Sequence, residues 1–167
     1  MVSETDALVR IVIAAALGAT LGIEREFHDK PAGLRTYMLV AEGAALFMVG
    51  SILITQQFQG GGNALSIDPT RVASTIVSGI GFLGGGAILQ SRNRVKGITT
   101  AAGIWVAAAI GLLTGAGYFV VAVGGTLIAI VTLALLAWPE RWISGDDDGQ
   151  YQVNDGDQRT PPPSSPE

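Results

Sequence analysis

Cysteine is absent from this chain, which excludes a disulfide framework and any thiolate metal site and leaves the redox compartment undetermined. Histidine occurs once, at His28, so neither a histidine metal cage nor a histidine-rich catalytic cluster can be built. No glycine loop ends in a Walker lysine, and there is no His-Glu-x-x-His and no Gly-x-Ser-x-Gly elbow. Catalysis is therefore not expected, no cofactor is implied and no nucleic-acid partner is expected; the net charge of −4 comes from the tail after Ser144, since residues 1–143 hold eight acids against nine Lys or Arg. Charge is scarce altogether, at 14% of residues, and almost all of it sits at the edges of apolar runs. A bilayer enforces that segregation, whereas a soluble domain scatters its charges over the surface.

What is present is apolar and glycine-rich, with 49% hydrophobic residues and 23 glycines. Five apolar stretches follow one another: Leu8–Ile23, Tyr37–Ile54, Val72–Leu89, Ile98–Thr114 and Tyr118–Trp138. Each approaches the ~20 residues that cross a bilayer, the first and fourth being short enough to need tilt or local thinning. The first lacks the basic start of a signal peptide, since Glu4 and Asp6 precede it. The expected fold is an all-α polytopic transmembrane helix bundle of about five spans over residues 1–143, followed by an acidic, Pro-rich tail over 144–167. That tail holds six acids against Arg159 and little that is apolar, so it is expected to be disordered.

Lys and Arg set the orientation. Arg25, Lys30 and Arg35 follow the first stretch and Arg92, Arg94 and Lys96 follow the third, whereas the second and fourth connections carry only Arg71 between them. With the two basic loops in the cytoplasm, the N-terminus is outside and the C-terminus inside the plasma membrane.

Small residues recur every fourth position at Ala14, Gly18 and Gly22, at Gly81 and Gly85, and at Gly111 and Gly115, a spacing that lets helix backbones approach. Gly18, Gly22, Gly79, Gly81, Gly84 and Gly85 are the expected packing positions. Gly79-Ile80-Gly81-Phe82-Leu83-Gly84 also spells a dinucleotide fingerprint, but inside an apolar span and after no strand, so it reads as packing. Gly84-Gly85-Gly86 predicts a break or kink in the third helix.

Three charged groups stand out. Glu24, Arg25 and Glu26, with Lys30 and Arg35, form a cluster whose carboxylates suit a hard cation such as Mg2+, although two acids amid three cations read more readily as a charged helix end. Asp68 and Pro69 read as a helix start, with Arg71 directed outward. Glu42 lies about 8 Å inside the second span, where a carboxylate is costly; function and tolerated polarity weigh equally there.

These motifs together resemble the MgtC/SapB family of prokaryotic membrane proteins. The likeness runs from about Leu8 to Gly117 through Leu21-Gly22-Ile23-Glu24-Arg25-Glu26, Lys30–Thr36, Asp68-Pro69-x-Arg71-Val72-Ala73, Val77–Gly84 and Gly97-Ile98-Thr99-Thr100-Ala101-Ala102. It implies a small multi-pass plasma-membrane protein tied, in some members, to growth at low Mg2+, intracellular survival and restraint of the ATP synthase. Virulence-associated members carry a folded cytoplasmic domain after the membrane part, so this chain looks like a minimal form. Ser74-Thr75 stand where the family often has Ala-Gln, and Glu42 where an apolar residue is frequent. Two functions follow. One is regulation of another membrane protein, such as the ATP synthase, in Mg2+ homeostasis or stress adaptation. The alternative is a small transporter or channel linked to Mg2+ or protons; a homo-oligomer is compatible with either.

Overall fold

The computed structural model describes residues 1–58, 68–91 and 94–143; the expected disordered tail at 144–167, the connection 59–67 and Arg92 lie outside them, as do the side chains of Trp138 and Trp142. The order is α1 (Glu4–Phe27), α2 (Leu34–Phe58), α3 (Pro69–Gly86), a hairpin of β1 (Leu89–Ser91) and β2 (Arg94–Lys96), α4 (Ile98–Ala116) and α5 (Phe119–Ile143). The fold is an all-α bundle, as the sequence predicts. Three helices, α1, α2 and α4, are long and apolar enough to cross a membrane, and α5 supplies a shorter apolar stretch, Phe119–Leu135. In α3, Arg71, the serines and threonines and the glycines dilute the apolar character.

Helix ends differ from the apolar runs for physical reasons. Ser3 caps α1 by accepting from the Asp6 amide at 3.1 Å, so the helix begins before its apolar part and reaches 24 residues, about 36 Å, rather than a marginal span. Glu24–Phe27 extend it at the other end. The Gly84-Gly85-Gly86 run does not break α3; it ends it, with Ala87 as the C-cap, and the chain turns into the β1–β2 hairpin, Leu89 pairing with Lys96 and Ser91 with Arg94. Low helix propensity acts at a terminus, where the connection already has to leave the axis.

α1, α2 and α4 form the core, α1 antiparallel to both neighbours. A Cβ built on Gly18 would lie 2.5 Å from the Tyr37 carbonyl oxygen, one on Gly22 2.6 Å from the Leu34 Cα, and one on Gly115 2.8 Å from the Ala45 carbonyl oxygen. Gly111 sits against the Ala41 backbone and Gly103 against the Tyr37 ring. Alanines fill the rest: Ala14, Ala41, Ala45 and Ala107 are wholly buried, while Phe82, Val120 and Ile128 face outward. Small inside and large outside is the reverse of a soluble core, and suits a bundle held by backbone proximity and dispersion in lipid. α5 packs on α4 and α1, and α3 on α4 and more loosely on α2.

Candidate functional site

The charged motif after α1 separates into three parts once folded. Glu26 Oε2 accepts from the Leu34 amide at 3.0 Å and its carboxylate lies over Gly33, so it caps the first turn of α2 from eight residues away. Glu24 Oε1 lies 3.3 Å from His28 Nδ1, which also contacts the Glu24 carbonyl oxygen at 2.8 Å. Arg25, between them, turns into the bundle, is 4% exposed, and donates to the Thr100 hydroxyl of α4 at 3.0 Å. Helical geometry explains the split, since successive residues point about 100° apart and cannot share a face.

The cluster is therefore no carboxylate cage: among the described residues no three His, Asp or Glu side chains gather as metal ligands, and Lys30 and Arg35 are exposed. Instead Glu24, Arg25 and Lys30 border, with Lys96, Thr99 and Thr100, a cavity of about 610 Å³ where the α1–α2 turn meets the start of α4. Glu24 Oε2 and Arg25 Nε are buried there without a hydrogen-bond partner.

Glu42 stands elsewhere, half-buried on α2, with no ion pair or hydrogen bond among the described residues. Three threonine hydroxyls along the spans are turned back on their own helices: Thr114 donates to the Ile110 carbonyl at 2.7 Å, Thr126 to Ala122 at 2.8 Å, and Thr55 to Ser51 at 2.7 Å, whereas the buried Tyr37 hydroxyl has no partner. The threonines form no continuation from Glu42.

At α3, Asp68 Oδ1 accepts from the Thr70 amide at 2.8 Å and its hydroxyl at 2.7 Å, with Pro69 in the first helical turn, which makes Asp68 the expected N-cap. Those two donors hold the exposed Asp68 carboxyl below the usual aspartate value. Arg71 is exposed. With Arg35 at the opposite end, it bounds an apolar groove of about 780 Å³ between α2 and α3, lined by Leu39, Phe47, Val72 and Ile80.

The glycines divide likewise. Gly18 and Gly22 are at helix contacts, and a Cβ on Gly84 would make ordinary contact with Ala101, 3.6 Å from its carbonyl oxygen. Gly79, Gly81 and Gly85 have no atom within 4 Å of a built Cβ; Gly81 and Gly85 share a face that is open within this chain, whereas Gly79 lies on the other side, in the α2–α3 groove.

Two residues were not singled out by sequence. Arg10 donates to the Gly115 carbonyl at 3.0 Å and to Asp6 at 2.9 Å, satisfying the end of α4 from α1. Its signal was a basic residue near the start of an apolar run with an acid four residues earlier. Gly103 extends the series Ala107, Gly111 and Gly115 by one more turn, and so was readable as part of one small-residue ladder.

The model of the MgtC family matches residues 11–142. The chain is 47% identical over 126 residues to an uncharacterised Synechocystis protein, covering 75% of this chain and 50% of that one. It is 40% identical over 129 residues to Protein MgtC of Salmonella typhimurium, covering 77% and 52%. It is 38% identical over 131 residues to an Escherichia coli K12 protein named "Putative magnesium transporter YhiD", covering 75% and 58%. The chain thus spans between half and three fifths of the length of these relatives. No solved structure matches it. A family model that runs from within α1 to the end of α5 takes in every element of the bundle, and the chain belongs to the MgtC family of membrane proteins.

Proposed function

We propose that this chain is a non-catalytic regulatory protein of the bacterial plasma membrane, N-terminus outside and C-terminus cytoplasmic, that docks through α3 onto another membrane protein and alters its activity in Mg2+ homeostasis or stress adaptation. The open face of α3 carries the reading. Gly81 and Gly85, four residues apart and so on one face, leave backbone accessible on the side of α3 turned away from the α2–α3 groove. Such a stripe is a means of close approach between helices, and in a single chain it is unused. The magnesium association rests on the name of the Escherichia coli relative.

Ion transport is the second reading. It is favoured by that same relative's name and by Glu42, a half-buried carboxylate without a partner among the described residues. Against it stands the turning of Thr114, Thr126 and Thr55 back onto their own helices, so that these hydroxyls offer no onward path from Glu42.

Crosslinking in native membranes from a photoreactive residue at Gly81, with identification of the adduct, tests the docking reading. Capture of one defined membrane protein at Gly81 but not at Val12 on the outer face of α1 supports it, whereas capture of a second copy of this chain alone would make α3 a self-association face and overturn it. Equal labelling at both positions by bulk protein overturns it.

A further inference from the structure

Arg25 presents an unresolved charge. A guanidinium does not shed its proton in a protein, yet this one is 4% exposed and, among the described residues, pairs with no carboxylate. Its one side-chain partner is the neutral hydroxyl of Thr100, and Nε has none. Glu26 is engaged with the Leu34 amide, and Glu24 holds His28 through Oε1, while its Oε2, buried on the same cavity, lies outside ion-pair distance of Arg25. A charge removed from water in this way calls for an anion.

The surroundings supply the rest of an anion site. Arg25 borders the 610 Å³ cavity together with the first turn of α4. The N-cap of α4 is Gly97, held at φ +93°, and a Cβ there would run into the Ala87 carbonyl oxygen. The position is thereby restricted to glycine, and α4 has no side-chain cap for the amides of its first turn. Uncapped amides at a positive helix end, beside a buried guanidinium, are the arrangement that receives an oxyanion. Lys30 and Lys96 stand at the rim, and Thr99 adds a hydroxyl. Glu24 and Asp29 border the same space and reduce its net positive charge, which disfavours polyanions.

We propose that the cavity between the end of α1 and the start of α4 binds a phosphate group, with Arg25 as its buried counter-charge and the first-turn amides of α4 as its cradle. Two sources share that chemistry: free inorganic phosphate and the headgroup of an anionic phospholipid. Thr132 and Leu133 of α5 form part of the wall, so the cavity lies beside an apolar helix surface as well as beside the charged turn. Ala87 at the end of α3 packs on Gly97 of the cavity wall, but no residue of the open face lines the cavity, so this proposal does not depend on the docking proposal.

The test uses the full chain in detergent, followed by thermal unfolding. Inorganic phosphate is titrated against chloride at matched ionic strength, and short-chain phosphatidylglycerol against short-chain diacylglycerol, which lacks the phosphate. A saturable rise in midpoint with phosphate assigns the free anion; a rise with phosphatidylglycerol alone assigns the headgroup. Arg25→Gln is expected to abolish the rise. Since a buried change can impair folding, Lys96→Glu, at an exposed rim position, serves as the second variant and is expected to weaken binding at least about tenfold, or ~1.4 kcal/mol. No rise in either titration, or an undiminished rise in Lys96→Glu, overturns the proposal.

Discussion

Arg10 of α1 donates to the Gly115 carbonyl of α4 at 3.0 Å. One helix thus satisfies the C-terminal end of another, and an antiparallel register is fixed, because Arg25, further along α1, reaches Thr100 in the first turn of α4. A cation near helix C-terminal carbonyls is favourable both as donor and against the helix dipole. Arg10→Ala is expected to lower stability by about 1–3 kcal/mol, the cost of leaving a partly buried acceptor unpaired. Asp6→Asn, which removes only the carboxylate of a half-exposed pair, is expected to cost no more than about 1 kcal/mol. Thermal unfolding in detergent distinguishes the two, and equal effects would mean that Arg10 acts through Asp6 rather than through α4.

Glycines of the two kinds separate by substitution. Gly18→Ala would place a methyl 2.5 Å from the Tyr37 carbonyl oxygen, which requires α1 and α2 to move apart, and a loss of about 1–3 kcal/mol is expected. Gly81→Leu meets nothing within this chain, so abundance and midpoint should stay unchanged while docking fails. A folding defect in Gly81→Leu would show that α3 packs more tightly than the structure has it.

Glu42 decides between the two functions. Glu42→Gln keeps shape and hydrogen bonding but cannot carry charge, so an ion path through it predicts loss of ion-dependent growth or flux at constant abundance. Regulation through α3 predicts a nearly silent substitution, and growth at limiting Mg2+ is the measurement.

Acidification is expected to loosen the start of α3. The Asp68 carboxyl is held below its ordinary value of about 3.9 by the Thr70 donors, so its stabilising effect is complete above that value and disappears as pH falls through the lower, folded one. Protection of the Thr70 amide, its exchange measured against the intrinsic rate at each pH, should fall in that acidic window in the wild type. In Asp68→Ala it should be low at every pH, and a wild-type protection factor flat with pH would remove the cap from consideration.

Orientation is open to thiol labelling in a chain with no native cysteine. A cysteine replacing Tyr118, exposed between α4 and α5, should react with an impermeant reagent on intact cells, while one replacing Lys30 should be protected. The reverse pattern inverts the assignment made from the basic loops.

Much of this was legible beforehand, for identifiable reasons. Apolar runs marked all five helices because a lipid solvent rewards them directly, and Asp68-Pro69 announced a cap because capping is local. The fate of Glu24-Arg25-Glu26 was not legible. Which of three adjacent side chains faces the bundle depends on the rotation of α1, set by Gly18 and Gly22 against α2, and the capping of Leu34 by Glu26 depends on the turn between the helices. Glycine spacing likewise announced seams without saying which were filled. Gly18 and Gly81 look alike in sequence, yet only one has a neighbour.

The core joins α1, α2 and α4, segments that are not consecutive, and this shapes how the chain is made. α1 and α2 can pair as soon as both emerge, but their third partner arrives only after α3 and the hairpin have been synthesised. Until then Ala41 and Ala45 of α2 wait for Gly111 and Gly115. During that interval α3 must be held beside an incomplete core before α4 fixes it, a delay that non-local pairing imposes on folding. α3 is thus the helix that waits on a later one, and an insertase or a partner has its opportunity there, before the bundle closes.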